Sequence, residues 1–434
     1  MDNLYIKRNI LCIDLKSFFA SVECVDRGLD PFTTPLVVCD PTRDGAITLA
    51  VTPYLKKFNI KSRGRVYELP KNINIIKVPP RMKLYQQKSM EVVSVYMDFV
   101  AIEDIHIYSI DECFLDVTNY LKLYNKTDYE LAQDILKKVY EKTGLTATAG
   151  IGPNLLLAKV GMDIEAKHIK NNIAYWTYDD VKTKLWNISP LSKMWGIGPR
   201  MEKRLNDIGL MSVGDVANYD IKKLHNMFGV LGDELWYHTN GIDNSKISEL
   251  NNMVVKEKSI SRSQILYKDY YDYNITIIIY EMLDLLCRDL RRKKYLCGLI
   301  SFGISYSRNI NDGFYHSMKL ERNTKDINEL FKYCMQIFDK YYNFSPIRKV
   351  SIAFGKLVND DSIQLNLFED YKKIEDNNNI SKAIDNIKDK YGANTILKAS
   401  SLLEDSTIKE RNNKIGGHSA WWNVVWLNGH HLIQ

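Results

Sequence analysis

The chain has 434 residues, 45% hydrophobic and 26% charged, the proportions of a folded protein with room for roughly two to four domains. No apolar run reaches the ~18 residues of a membrane span, and MDNLYIKRN carries no apolar leader, so a cytoplasmic protein is expected. A net charge of +6 permits nucleic acid as a partner without demanding it; seven Cys without a CxxC pair and eight His without ligand spacing predict buried, reduced thiols rather than disulfides or zinc.

The first third alternates strands and helices. ILCIDL (Ile10–Leu15) predicts a short buried strand, followed with helical spacing by SFFASVEC (Ser17–Cys24). PLVVCD and AITLAV predict two further strands, and Arg81–Val100 a long amphipathic helix. Then come strands in DIHIYSI and CFLDVT, a helix over Asp128–Thr143, the strand TATAGIG, and a helix opened by Pro153-Asn154. This is an α+β pattern, with helices packed on a mostly antiparallel sheet.

From about Asn187 to Ile242 only short helices are predicted. LSKMWGIGP (Leu191–Pro199) places Gly196 and Gly198 in a hairpin between two helices, and Phe228-Gly-Val-Leu-Gly232 is a looser copy. Such turns expose backbone N–H groups at a helix N-terminus, where a phosphate can bind. Residues 251–358 then read strand, helix, strand, strand, helix, strand, the split-βαβ order. The strands are VVKEKSIS, LCGLISFGISYS, GFYHSMKLERN and RKVSIAFGKLV; the helices are Asn274–Arg292 and Asp326–Tyr342. Basic residues Arg288–Lys294 close the first helix, where they also suit its dipole. The remainder is polar, with an apolar burst at Leu365, Leu367 and Phe368 and helical spacing at Ile380, Ala383, Ile384, Ile387 and Tyr391 before Gly392. The Trp-rich end (Trp421, Trp422, Trp426) suggests no role.

Three acids stand out. Asp14 ends a buried strand with no cation near it in sequence, and Asp111-Glu112 lies between two others. Asp is a common turn residue and a common helix N-cap, so a hairpin turn and a cap for Ser17–Cys24 are the plain alternatives. Gathered at one sheet edge, three carboxylates repel, and burying them unpaired is costly. A metal is the expected remedy: oxygen ligands with open positions suit Mg²⁺, and two such ions serve phosphoryl or nucleotidyl transfer.

ILCIDLKSFFASVE, AVTPYLKKFNIKS, YSIDECFLDV, AGIGPNLLLAKVGMDIEAK and WGIGP stand in the order found in Y-family translesion DNA polymerases. Over about residues 8–400 the chain resembles that family, and most closely its UmuC-like branch in Gram-positive bacteria and their phages. The resemblance implies an α+β multidomain right hand: palm 1–27 and 80–186, fingers 28–79, helix-hairpin-helix thumb 187–246, split-βαβ little finger 247–358, and a C-terminal tail 359–434. It implies that Asp14, Asp111 and Glu112, with the main-chain carbonyl of Leu15, hold two Mg²⁺ ions (or Mn²⁺). Phe19 matches the aromatic gate against a 2′-OH, with Phe18 its neighbour and the better core residue by period. Tyr54, Lys57 and Lys167 match the grip on the triphosphate of a dNTP. Two departures stand out. Lys16 replaces an Asp or Asn, and Lys57 replaces an Arg, exchanging a bidentate fork for a point charge.

The resemblance further implies primer–template DNA as partner, gripped through Gly196 and Gly198 of the thumb and through Lys256, Lys258, Arg262, Arg291 and Arg292 of the little finger. Gln364, Leu365, Leu367 and Phe368 resemble the peptide by which bacterial polymerases dock on the sliding clamp. An accessory recombinase or UmuD-like protein stays open as a further partner. The function implied is error-prone translesion synthesis by two-metal nucleotidyl transfer. The alternatives are a non-catalytic protein occupying stalled primer termini and another two-metal palm enzyme such as a nucleotidyl cyclase. A pure binder gains nothing from repelling carboxylates, and a cyclase has no need of the glycine hairpins.

Overall fold

The computed structural model describes residues 5–253, 259–307, 310, 312–360, 371–415 and 418–419. They fall into two compact units that divide after Met253. Lys256, Lys258, Gln364, Leu365, Leu367, Phe368 and the tryptophans 421, 422 and 426 lie outside the described residues. Among the described residues no helix is long and apolar enough to cross a membrane.

The first unit begins with β1 (Ile10–Leu15), α1 (Phe18–Asp26), β2 (Leu36–Val38), β3 (Ala50–Val51), α2 (Pro53–Lys56), β4 (Ile76–Val78) and α3 (Met82–Met97). It continues with β5 (Ile105–Ile107), β6 (Glu112–Asp116), α4 (Leu121–Tyr124), α5 (Asp128–Thr143), β7 (Ala147–Gly152), α6 (Leu155–Ile164) and β8 (Ile173–Tyr175). The main sheet runs β5-β6-β1-β7-β8, antiparallel except for β7 with β8. β2, β3 and β4 form a separate small sheet, and AITLAV contributes only Ala50 and Val51 to it. α5 has the predicted bounds; a capping box at Thr127 and Glu130 starts it, and Gly144 in the left-handed region ends it.

Alternation along β1 decides which side faces what. Leu11, Ile13 and Leu15 enter the core shared with α1, α3 and α5. Ile10 and Cys12 enter the other core, against α6. Asp14 continues that second series, so its carboxylate belongs to the α6 side. α6 comes unusually close to the sheet because β7 offers glycines there. A Cβ on Gly150 would lie 2.0 Å from the Ala158 carbonyl oxygen, and one on Gly152 2.6 Å from the Ala158 nitrogen.

Helices complete the unit: α7 (Pro199–Asn206), α8 (Val213–Ala217), α9 (Ile221–Phe228), α10 (Val230–Thr239) and α11 (Ile247–Asn252). The first glycine hairpin is preceded by a single 3₁₀ turn at Leu191–Lys193 rather than a full helix. Gly196 turns the chain at φ +90°, and Gly198 caps α7. In the second hairpin the turn is Gly229; Gly232 instead permits contact between α9 and α10, its Cβ position lying 2.2 Å from the Leu224 carbonyl oxygen. α11 belongs to this unit: the Asn251 side-chain amide donates to the Ile105 carbonyl at 2.8 Å.

The second unit holds β9 (Ser259–Tyr270), α12 (Ile275–Lys293), β10 (Tyr295–Tyr306), β11 (Gly313–Thr324), α13 (Ile327–Tyr341), β12 (Ile347–Gly355), β13 (Val358–Asn359) and α14 (Tyr371–Tyr391). The order βαββαβ is the predicted one, and the sheet runs β11-β10-β12-β9. α12 and α13 cover one face with Ile278, Met282, Leu286, Leu330 and Phe338. The opposite face carries a patch of small side chains, with Ser301 opposite Ser317 and Ala353 and Ser351 opposite Ser263, together with the exposed Ile265 and Tyr315.

α14 brings acids to the arginines at the end of α12: Asp385 binds Arg291 at 2.6 Å and Asp389 pairs with Arg292 and, at 2.6 Å, with Arg288. Arg262 is likewise held by Asp289 at 2.6 Å. Two acids of a helix that lies far away in sequence thus partly offset the basic end of α12. Beyond α14, buried Glu281 accepts hydrogen bonds from Ser406 Oγ at 2.5 Å and Thr407 N at 3.2 Å, fastening the following segment to α12. Arg291→Ala is therefore expected to lower the unfolding free energy of this unit by on the order of 1–3 kcal/mol, since it removes the closer of the two arginines that hold Asp385 and leaves Arg288 at 3.6 Å. Duplex affinity should stay within about twofold at fixed salt, because an already paired arginine releases no counterion. A large fall in affinity with an unchanged urea midpoint would return Arg291 to the DNA-binding set.

Candidate active site

β1 and β6 pair in a register that sets Asp14 opposite Glu112. The chain between β5 and β6 is a tight turn in which Tyr108 N and Ser109 N both donate to the Glu112 carbonyl at 3.0 Å. Asp111 sits at the mouth of this hairpin, and its carbonyl accepts from Leu15 N at 2.9 Å. The turn reading and the catalytic reading of SIDE thus describe one object, a hairpin that carries carboxylates. Asp14 is not a helix cap: that position falls to Ser17, in the left-handed region at φ 49°. This sharp corner starts α1 beside the acids.

The sequence suggested metal as the remedy for these acids. The structure supplies cations of its own. Lys159 on α6 lies 2.8 Å from the Glu112 carboxylate, with their side chains only 8% and 10% exposed. Lys167 lies 2.5 Å from Asp14 Oδ2. Asp163 joins the two lysines, 3.0 Å from Lys159 and 2.8 Å from Lys167. The result is an alternating ionic chain, Glu112–Lys159–Asp163–Lys167–Asp14. Cys12 adds its thiol, donating to Glu112 Oε1 at 3.3 Å. Burial raises the pKa of Asp14, against the pull of Lys167. Burial likewise raises that of Glu112, against Lys159. Burial works against the charge on both lysines, yet their acidic neighbours outweigh it and push both pKa values up.

With the lysines in these positions, no three His, Cys, Asp or Glu side chains among the described residues stand together as a metal-ready group. The donor chemistry nonetheless fits a hard divalent cation: three carboxylates and a main-chain carbonyl from adjoining strand ends, all oxygen.

Around the acids, Phe18 is 3% exposed and belongs to the core, so it leaves the nucleotide-contact set. Phe19 is half-buried and stacks on Tyr85 with ring centroids 4.5 Å apart. Tyr85 is fixed from behind by donating to the buried carboxylate of Glu23 at 2.6 Å, which Arg81 also grips. Tyr54 packs edge-on against Phe58. Lys57 turns away, its ammonium 3.3 Å from the Phe32 carbonyl. Its neighbour Lys56 senses the acids: partial burial lowers its pKa, and Asp14, Lys167 and Asp111 all act on its charge. Lys16 points away from the acids to Asn172 Oδ1 at 2.5 Å.

Sequence reasoning therefore missed Lys159, Asp163, Lys56 and Tyr85. The first two had a legible signal. Lys159 and Asp163 are four apart, on one face of a helix that follows a glycine-bearing strand.

A split-βαβ unit in one part of the chain, and a five-stranded sheet with glycine hairpins in the other, are the parts of a Y-family polymerase fold. A chimera of two Y-family DNA polymerases superposes on the chain with a TM-score of 0.63 over 81% of this chain and 99% of its own, at 21% identity, a likeness of fold. The impB/mucB/samB family matches residues 13–163, its C-terminal domain matches 257–367, and the IMS family HHH motif matches 178–210. UvrX of Bacillus subtilis strain 168, named for UV-damage repair, is 38% identical over 95% of this chain and 98% of its own length. DNA polymerase IV 2 of the same organism is 31% identical over 94% of this chain and 98% of its own. The chain belongs to the impB/mucB/samB family, the Y-family DNA polymerases.

Proposed function

We propose that the chain is a DNA-directed DNA polymerase that performs error-prone translesion synthesis past damaged template bases. The observation that carries this reading is the placement of Asp14 opposite Glu112 across β1 and β6, with Asp111 on the adjoining hairpin. Asp14, Asp111, Glu112 and the Leu15 carbonyl would hold two Mg²⁺ ions, or Mn²⁺, which when bound supply an activated primer hydroxyl and a stabilised leaving pyrophosphate. The protein's own groups do the rest. Lys167 and Lys56 offer positive charge to a dNTP triphosphate, and Phe19 offers a flat apolar surface to the sugar. Seated on Tyr85, Phe19 has little freedom to retreat, which suits a steric gate.

Gly196 and Gly198 leave the N–H groups at the start of α7 open to a DNA phosphate. On the second unit, the sheet face bearing Ser263, Ser317 and Ser351 suits the DNA backbone, and the arginines of α12 already share their charge with Asp385 and Asp389. Hydroxyl and backbone contacts of this kind read no sequence, which fits copying past lesions. Docking of Gln364–Phe368 on the sliding clamp remains part of the proposal.

The test is primer extension by the purified protein on undamaged and lesion-bearing templates with Mg²⁺ and four dNTPs. Absence of extension with clamp added would reject the enzyme. Phe19→Ala is expected to raise ribonucleotide incorporation by about a hundredfold or more, because the clash it relieves is worth a few kcal/mol. Unchanged sugar discrimination would remove Phe19 from the gate.

A further inference from the structure

Lys159 and Lys167 occupy similar positions but differ in how they are held. Lys159 and Glu112 are buried together. Lys167 is 36% exposed, and it bridges two carboxylates, Asp14 at 2.5 Å and Asp163 at 2.8 Å. An ammonium at that distance from Asp14 Oδ2 competes with a divalent cation, which needs the same lone pairs at about 2.0–2.1 Å and is repelled by the lysine's charge. Lys167 has solvent on one side, so it can leave Asp14 without leaving its helical partner Asp163.

We propose that Lys167 is a resident counter-ion that yields Asp14 to the entering metal and is thereby released to the nucleotide triphosphate, coupling the two binding events. Asp163 is the positioning residue that keeps the released ammonium at the site. Before metal arrives, the Lys167 charge offsets the repulsion between Asp14 and its neighbouring acids. Once metal takes over that task, the same ammonium is free for phosphate. Linkage makes the effect mutual: a triphosphate that draws Lys167 away must strengthen metal binding by the factor with which metal strengthens triphosphate binding. This inference rests on the proposal that the acids bind metal.

The experiment is Mn²⁺ binding to the nucleotide-free full-length protein, followed by electron paramagnetic resonance of the free ion. Lys167→Met is expected to tighten Mn²⁺ binding by about fivefold, the scale of losing one partly exposed ion-pair competitor. Lys167→Arg keeps the charge and should stay near wild type. Non-hydrolysable dNTP should strengthen Mn²⁺ binding less in Lys167→Met than in wild type. Asp163→Asn, which keeps Lys167 but loses its tether, should raise the KM for dNTP more than it lowers kcat. If Asp14→Asn weakens Mn²⁺ binding while Lys167→Met leaves it unchanged or weaker, the counter-ion role is overturned and the metal site stands. If Asp14→Asn and Glu112→Gln leave the wild-type affinity untouched, metal does not bind at these acids, and the inference falls together with the reading beneath it.

Discussion

Asp111→Asn is expected to lower single-turnover primer extension by at least about a thousandfold while leaving the fold and DNA affinity in place. Of the three acids, Asp111 gives the cleanest test. Asp14 and Glu112 are each paired to a lysine, so replacing either also breaks an ion pair. Asp111 has no ion pair among the described residues; its side chain accepts a hydrogen bond from Ser109 Oγ at 2.7 Å. Asparagine can accept the same bond, and the carbonyl that receives Leu15 N is unaffected. The substitution removes one negative charge and little else. Extension at constant DNA concentration, beside fluorescence anisotropy of a labelled primer–template, checks it. If affinity declined in step with extension, Asp111 would be organising the hairpin rather than the chemistry.

The second large effect concerns stability. Lys159→Met should destabilise the first unit by about 3–5 kcal/mol, because it leaves the Glu112 carboxylate buried without its partner. Lys159→Met combined with Glu112→Leu should recover most of that loss and remain inactive, since apolar pairs commonly replace buried ion pairs at no net cost. The pH dependence carries a sign. Burial already raises the Glu112 pKa, and Lys159 opposes it. Without the lysine, Glu112 in the folded state holds its proton above the ~4.3 of the unfolded chain. The folded state then binds more protons, so stability of the single variant falls as pH rises from about 4 through the folded pKa. In the wild type, the raised Lys159 pKa contributes stability that is complete below about 10.4 and disappears as pH rises through the folded value. Urea unfolding across pH measures both slopes. A Lys159→Met protein with a wild-type midpoint at neutral pH would mean that water replaces the lysine.

The two effects separate roles that the sequence presents alike. Asp111 and Glu112 are adjacent in the chain, but one is partly exposed and hydrogen-bonded to a hydroxyl, and the other is 8% exposed and clamped by a lysine and a thiol. Lys56 and Lys57 are equally adjacent, yet Asp14 and Asp111 act on the charge of Lys56 while Lys57 reaches the Phe32 carbonyl. In both pairs a turn of the backbone between neighbours divides the chemistry.

Much was legible in the sequence because its determinants are local. Periodicity, the Thr127–Glu130 capping box and Gly144 fixed α5, and alternation with turn residues fixed the βαββαβ order of the second unit. The SIDE hairpin and the acids on it were legible for the same reason, since a strand, a turn and a strand need only short-range information. The ion pairs were not. Asp14 meets Lys167, Glu112 meets Lys159, and Arg291 meets Asp385 across long stretches of chain. A charge is worth little in water and much in a partly buried site, so its partner is decided by which elements pack together. Here the glycines of β7 let α6 settle onto the sheet, and that close approach brings Lys159 to Glu112.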